Sequence, residues 1–294
     1  MSGLPKIILL FLQAILPSFI FLLVFYNNSV FAASQEPFLP GYSMGNNGTI
    51  IQPDNISGRQ PWIPACFYAD SLRFGFSASG IDYYDLMDNM ENSHIGQVVM
   101  GLWYCPGTLT IKGSYSYFNA LNIYNEQQGF CSIGFHFIKF ANASLDITGY
   151  RAGLSQYENE HETFLHAGTS VFIYGNRAAV SFSCKNLSIK KAFSPGFEPD
   201  PSVIAGIYAY VNKFGSQGIT FEICRVDDWN FKFSMGESYC LFKNFSVCGA
   251  VSTNPLTLHF GCSLSYDRSG VSLSFVNHPV LGWSKGLTMD YAYR

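Results

Sequence analysis

From residue 68 onward the chain divides into fourteen runs in which apolar and polar residues alternate one by one. They lie at approximately 68–79, 95–104, 107–118, 129–140, 143–153, 165–175, 177–187, 202–213, 217–226, 229–239, 244–253, 256–267, 270–278 and 284–293. In LTLHFGCSLSYD, Leu256, Leu258, Phe260, Cys262, Leu264 and Tyr266 share one parity, and Thr257, His259, Gly261, Ser263, Ser265 and Asp267 the other. A β-strand sends successive side chains to opposite faces, so each run has one oily and one wet side. Most runs hold 9 to 12 residues, whereas ordinary strands average ~5–6. A strand crossing a bilayer needs ~9–11 residues. Ten residues tilted by ~40° rise about 25 Å, the height of the apolar band of a membrane barrel.

The links between runs carry a second signal. SGIDYYDLMDNMENSH, ALNIYNEQQ, LSQYENEHETF, SIKKAFSPGFEPDP and NHPVLGW are long and follow odd-numbered runs. The links at Cys105-Pro106, Ala141-Asn142, Asn176 and Phe214-Gly215-Ser216 are short and follow even-numbered runs. Links among the later runs are short on both sides. Long loops at one end and tight turns at the other are the habit of a transmembrane β-barrel. An even strand count puts both ends of the barrel on the short-turn side.

Alternation alone does not say which face meets lipid, because a soluble barrel turns its apolar face inward. Composition helps here. Charged residues are 13% of the chain, about half of the ~25% usual in soluble proteins. Aromatics reach 17%. The aromatic run-ends Trp103, Tyr104, Tyr117, Phe118, Trp229, Tyr239, Tyr291 and Tyr293 resemble an interfacial belt. A net charge of −3 implies no nucleic-acid partner. The expected fold is therefore all-β: a transmembrane antiparallel β-barrel of about fourteen strands over 67–294, with the lipid bilayer as its partner. Runs 2, 6 and 8 are oily on both faces, so their inner side is expected to pack against a plug.

The remaining segments read as follows. Residues 1–33 hold Lys6, an apolar run from Ile7 to Phe25 and the Ala32-Ala33 pair, a signal peptide pattern; an uncleaved anchor is the alternative. Residues 34–66 carry five prolines and four glycines, Pro37 to Pro64, which oppose helix and central strand alike. They read as an irregular plug or linker. Asp82, Asp85, Asp88 and Glu91 share one side of a weakly helical stretch. The eight cysteines sit singly inside runs and read mostly as small apolar fillers; Cys240 and Cys248, across a hairpin, are the best disulfide pair. Six N-x-S/T sequons, at Asn27, Asn47, Asn55, Asn142, Asn186 and Asn244, keep a secreted glycoprotein open as an alternative. A soluble β-sandwich array is another.

Catalytic motifs are not found. HETFLH places His161 and His166 five apart, which is not a zinc-protease spacing, and it reads as a solvated outer loop. No GxSxG, P-loop or dinucleotide fingerprint occurs, so neither enzyme nor cofactor is expected. On the wet parity lie Lys112, Asp146, Glu222, Lys232, His259 and Asp290. They are the candidate lumen-lining or ligand-binding residues; pairing among themselves to stabilise the interior is the other reading.

VSLSFVNHPVLGWSKGLTMDYAYR, with His278-Pro279, Leu281-Gly282 and a last strand ending on aromatics, resembles the final hairpin of the PorV-like outer-membrane proteins. These are related in architecture to the FadL-like fatty acid transporters. The resemblance implies a bacterial outer-membrane barrel with an N-terminal plug, porin-like in its membrane location. It would move small hydrophobic molecules or serve as a secretion-system accessory. A surface docking scaffold would use loops 80–94, 154–164 and 188–201.

Overall fold

The computed structural model describes residues 65–67, 74–83, 95–106, 108–120, 124–138, 141–154, 161–174, 178–190, 201–210, 217–225, 231–242, 244–253, 256–278 and 282–293. The expected leader and most of the expected plug lie outside these residues, as do the acidic positions Asp85, Asp88 and Glu91. Fourteen strands are present: β1 Phe74–Asp82, β2 Ile95–Tyr104, β3 Leu109–Ala120, β4 Tyr124–Ile138, β5 Ala141–Leu154, β6 His161–Tyr174 and β7 Ala178–Lys190. They continue with β8 Ser202–Tyr210, β9 Gln217–Arg225, β10 Phe231–Phe242, β11 Phe245–Ser252, β12 Thr257–Tyr266, β13 Ser269–His278 and β14 Gly282–Tyr293. Among the described residues, a 3-10 turn, Ala65–Phe67, precedes them.

Each strand pairs antiparallel with its chain neighbours, and β1 closes on β14 from Phe74↔Tyr293 to Asp82↔Lys285. Closure leaves no sheet edge with unpaired backbone groups, the condition for crossing hydrocarbon. A sandwich array is excluded by the same fact.

The faces are inverted relative to a soluble protein. Phe76, Met100, Ile147, Phe182, Ile207, Phe233, Phe260, Leu273 and Met289 point outward and are exposed. Ser77, Ser79, Ser132, Ser181, Ser234, Ser263, Ser272 and Thr288 point inward and are buried. In β12, Thr257, His259 and Ser263 are buried while Phe260 and Leu264 are exposed, the predicted assignment. An apolar surface running around the whole barrel far exceeds the few hundred Å² that water tolerates on a monomer. It suits a hydrocarbon surround. Several inward hydroxyls are bonded locally: Ser77 Oγ donates to the Met289 carbonyl at 3.1 Å, and Ser246 and Ser263 share a bond of 2.6 Å.

Four expectations need correction. ALNIYNEQQ is not a long loop: β3 runs to Ala120 and β4 begins at Tyr124, pairing Asn119 with Asn125 and Phe118 with Glu126. Likewise HETFLH is the start of β6, and His166 is buried. Tyr124 to Gln128 and His161 to Thr163 are polar on both parities, so alternation could not reveal them, yet neighbouring strands supply their backbone partners. Trp103 and Phe118 are not belt residues. They share parity with Gln97 and Lys112, and Trp103 is fully buried against Gly75, where a Cβ would lie 2.2 Å from the indole. Finally, Cys240 and Cys248 form no disulfide with each other: the register sets Cys240 opposite Ser246 and Cys248 opposite Ser238.

The wall is uneven in height. β4 to β7 hold 15, 14, 14 and 13 residues, whereas β8, β9 and β11 hold 9, 9 and 8. Fifteen tilted residues rise roughly 38 Å, beyond the ~25 Å band. β7 also carries a bulge: pairing steps from Thr169↔Cys184 to Ala167↔Leu187, leaving Lys185 and Asn186 against Gly168 alone. Asn186 adopts φ 58° there and Asp267 φ 50° in the β12–β13 turn; these short amide and carboxylate side chains tolerate the left-handed region better than most.

Candidate functional site

The tall wall organises one row of polar residues. Register places Lys112 beside Ser132, Ser132 beside Asp146 and Asp146 beside Gly168, across four consecutive strands. All three side chains point inward, and Lys112 is fully buried. Ser132 Oγ donates to Asp146 Oδ1 at 2.5 Å. The other carboxylate oxygen, Asp146 Oδ2, is buried with no hydrogen-bond partner among the described residues.

The Ala65–Phe67 turn docks on this row. Ala65 N–H donates to Ser132 Oγ at 2.8 Å, and Asn142 Nδ2 donates to the Cys66 carbonyl at 3.0 Å. The turn lies so close to β4 that a Cβ on Gly134 would sit 2.7 Å from the Ala65 carbonyl carbon. Only glycine leaves room for the docked chain. The Cys66 thiol is buried near Ser144, and burial pushes its pKa up to about 12. It is therefore a neutral packing group, not a nucleophile. Next to it, the buried Asn142 Oδ1 and Ser170 Oγ have no hydrogen-bond partner among the described residues.

Toward the long-loop end, the same half of the barrel is lined by rings. Tyr83 meets Phe118 at 5.9 Å between centroids, and Phe118 meets Tyr124 at 6.1 Å, both edge to face. Tyr150 lies 5.4 Å from His166. Their polar atoms are tied down: Tyr83 OH donates to Gln97 Oε1 at 2.9 Å, and Tyr124 OH to Glu126 Oε2 at 2.9 Å. The result is a set of fixed rings that present apolar edges and faces inward.

The other predicted residues stand apart. Lys232 and His259 are buried on the inner face near the long-loop ends of β10 and β12. His259 Nε2 bonds Thr257 Oγ1 at 2.8 Å, which in turn bonds Ser252 Oγ at 2.6 Å. Asp290 is buried near the short-turn end of β14, packed over Gly270. Glu222 stands opposite Gly206 and Ser234 in the register; its side chain lies outside the described residues. Of the six, Lys112 and Asp146 share one row, on either side of Ser132. Sequence reasoning missed Ser132, Asn142, Gly134 and Cys66, which act through a contact 67 positions apart in the chain. It could have found Trp103 and Phe118 from their parity.

These features define a class: a closed fourteen-stranded antiparallel barrel with an apolar exterior and a packed polar and aromatic interior. No family model matches the chain, and no curated protein matches it. Solved structures do. The CymD monoaromatic hydrocarbon channel aligns with a TM-score of 0.65 at 10% identity, covering 89% of this chain and 99% of that one. The deltaS2S3 mutant of the TodX monoaromatic hydrocarbon channel gives 0.59 at 9%, covering 87% and 98%. The Pseudomonas putida toluene transporter TodX gives 0.55 at 8%, covering 90% and 98%. At such identities the likeness establishes the fold.

Proposed function

We propose that this chain is a bacterial outer-membrane β-barrel that binds small hydrophobic molecules and passes them across the membrane without catalysis. The observation that carries the reading is the pairing of an apolar belt outside with fixed aromatic rings inside. Tyr83, Phe118, Tyr124 and Tyr150 offer a flat apolar guest edge and face contacts on one wall. The fold is shared with channels whose names specify monoaromatic hydrocarbons, so a ligand the size of toluene is the first candidate. Residues 34–66 act as the plug, and their last turn closes the lumen by resting on Ser132, Asn142 and Gly134. Passage then requires this turn to leave the wall. Lys112, Asp146, Glu222, Lys232, His259 and Asp290 line the path or brace it. Loops 84–94, 155–160 and 191–200 lie outside the described residues, and nothing on the barrel favours a secretion-accessory or scaffold role.

The test is equilibrium binding of tritiated toluene to the purified full chain. Saturable binding near one per chain is expected, weakened roughly tenfold by Phe118→Ala, about the value of one lost aromatic contact. Binding that rises linearly with toluene, as it does in empty detergent micelles, would count against the proposal. Heat-modifiable migration on a gel checks the membrane barrel itself.

A further inference from the structure

The seat of the Ala65–Phe67 turn fits it only in part. Register sets Thr110, Gly134, Ser144, Ser170 and Ser183 at one level of the inner wall, across β3 to β7. All five are buried, and none is larger than threonine. The turn packs against β3 to β6, with Ala65 over Gly134 and Cys66 near Ser144. Two bonds tie it down. Ser132 Oγ accepts from Ala65 N–H while donating to Asp146 Oδ1, and Asn142 Nδ2 donates to the Cys66 carbonyl. Beside these bonds the match fails. Asn142 Oδ1, Ser144 Oγ and Ser170 Oγ are sealed from solvent with no hydrogen-bond partner among the described residues. Ser144 and Ser170 are direct neighbours in the register, so the mismatch is concentrated under one end of the turn.

The bonded and unbonded groups act in opposite directions. With the turn lifted, a hydroxyl on a polar lumen wall bonds water. Seating the turn strips that water, and a group that gains no new partner then opposes seating. We infer that the turn is a poised strap: its two bonds and its packing on Gly134 hold it down, while the stripped oxygens of Asn142, Ser144 and Ser170 work to release it. Alanine at 144 or 170 would occupy the same place without that penalty, so serine there works against tight seating. The stripped groups thus lower the work of lifting the turn, the step on which passage depends. The inference rests on the reading that this turn closes the lumen.

The experiment takes the full chain with Cys66 as its only cysteine and measures the rate at which maleimide labels it, which reports the lifted fraction. One substitution, serine to alanine, is made at three positions of the same wall. Ser132→Ala removes a hydroxyl that the turn uses and should raise the rate roughly fivefold. Ser144→Ala and Ser170→Ala remove stripped hydroxyls and should each lower it roughly tenfold. The opposite signs are the signature, because a general loosening of the wall would raise the rate in all three. A rate that rises or stays the same in either Ser144→Ala or Ser170→Ala would mean that the hydroxyl is satisfied under the seated turn, and would overturn the inference while leaving the docked turn intact. Wild-type labelling as fast as that of the heat-denatured chain would mean that the turn is not seated, and would overturn the closure reading as well.

Discussion

The two sides of the barrel are built from the same alternation and do different work. The wall from β3 to β7 has strands of 12 to 15 residues, carries the Lys112–Ser132–Asp146 row, and receives the Ala65–Phe67 turn. The wall from β8 to β13 has strands of 8 to 12 residues. Its inner face is dominated by small hydroxyls such as Ser234, Ser263, Ser272 and Ser274, with Lys232 and His259 near one rim. A closed barrel needs both walls for its hydrogen bonds, but only the tall one offers a level where charge, glycine and an incoming chain meet. The short wall is scaffold. The tall wall is where a change of state has physical means.

The sharpest way to break this contrast is to remove the room for the docked turn. In a chain whose only cysteine is Cys66, the buried thiol, held up to about 12, should resist maleimide at pH 8. Because its pKa is raised, reactivity in the docked state grows only as pH climbs toward that value. Gly134→Leu should expel the turn and raise the labelling rate roughly thousandfold, the ratio of thiolate fractions between pKa ~12 and ~9. An unchanged rate would mean that the turn is not held at Gly134.

A smaller effect is expected from the polar row. Asp146→Ala removes the bond from Ser132 and the carboxylate that shares a row with the buried Lys112, and should cost about 1.5–3 kcal/mol. The melting of the heat-modifiable band reads this loss. Lys112→Met combined with Asp146→Leu should recover most of it, since a pair of apolar residues needs no compensation. If the double variant is as unstable as the single one, the two residues are not coupled. On the short wall the smallest effect is expected: Ser263→Ala removes one hydroxyl bond to Ser246 and should cost about 1 kcal/mol or less. A loss as large as that of Asp146→Ala would erase the distinction between the walls.

Much of this fold was legible because lipid-facing strands keep strict alternation. β2 falls on residues 95–104 as read from the sequence, and the β12 faces are assigned correctly down to Cys262 and His259. Legibility failed where the wall rises past the band. Tyr124 to Gln128 and His161 to Thr163 are polar on both sides, so only their neighbours' backbone groups reveal them as strand. The candidate site was half legible. The inward parity of Lys112 and Asp146 is written in their runs. Their meeting in one row depends on the stagger between β3, β4 and β5, which no run contains. The docking of Ala65 on Gly134 has no local signal at all. Trp103 shows a different failure: an aromatic at a run-end suggested the interface, while its parity already pointed inward.

The central claim is that the Ala65–Phe67 turn, seated on the tall wall, keeps the lumen closed. Ionic current through the full chain in a planar bilayer tests it most directly. The wild-type barrel should be nearly silent, and Gly134→Leu should give discrete, long-lived conductance steps. Steady wild-type conductance equal to that of Gly134→Leu would contradict the claim.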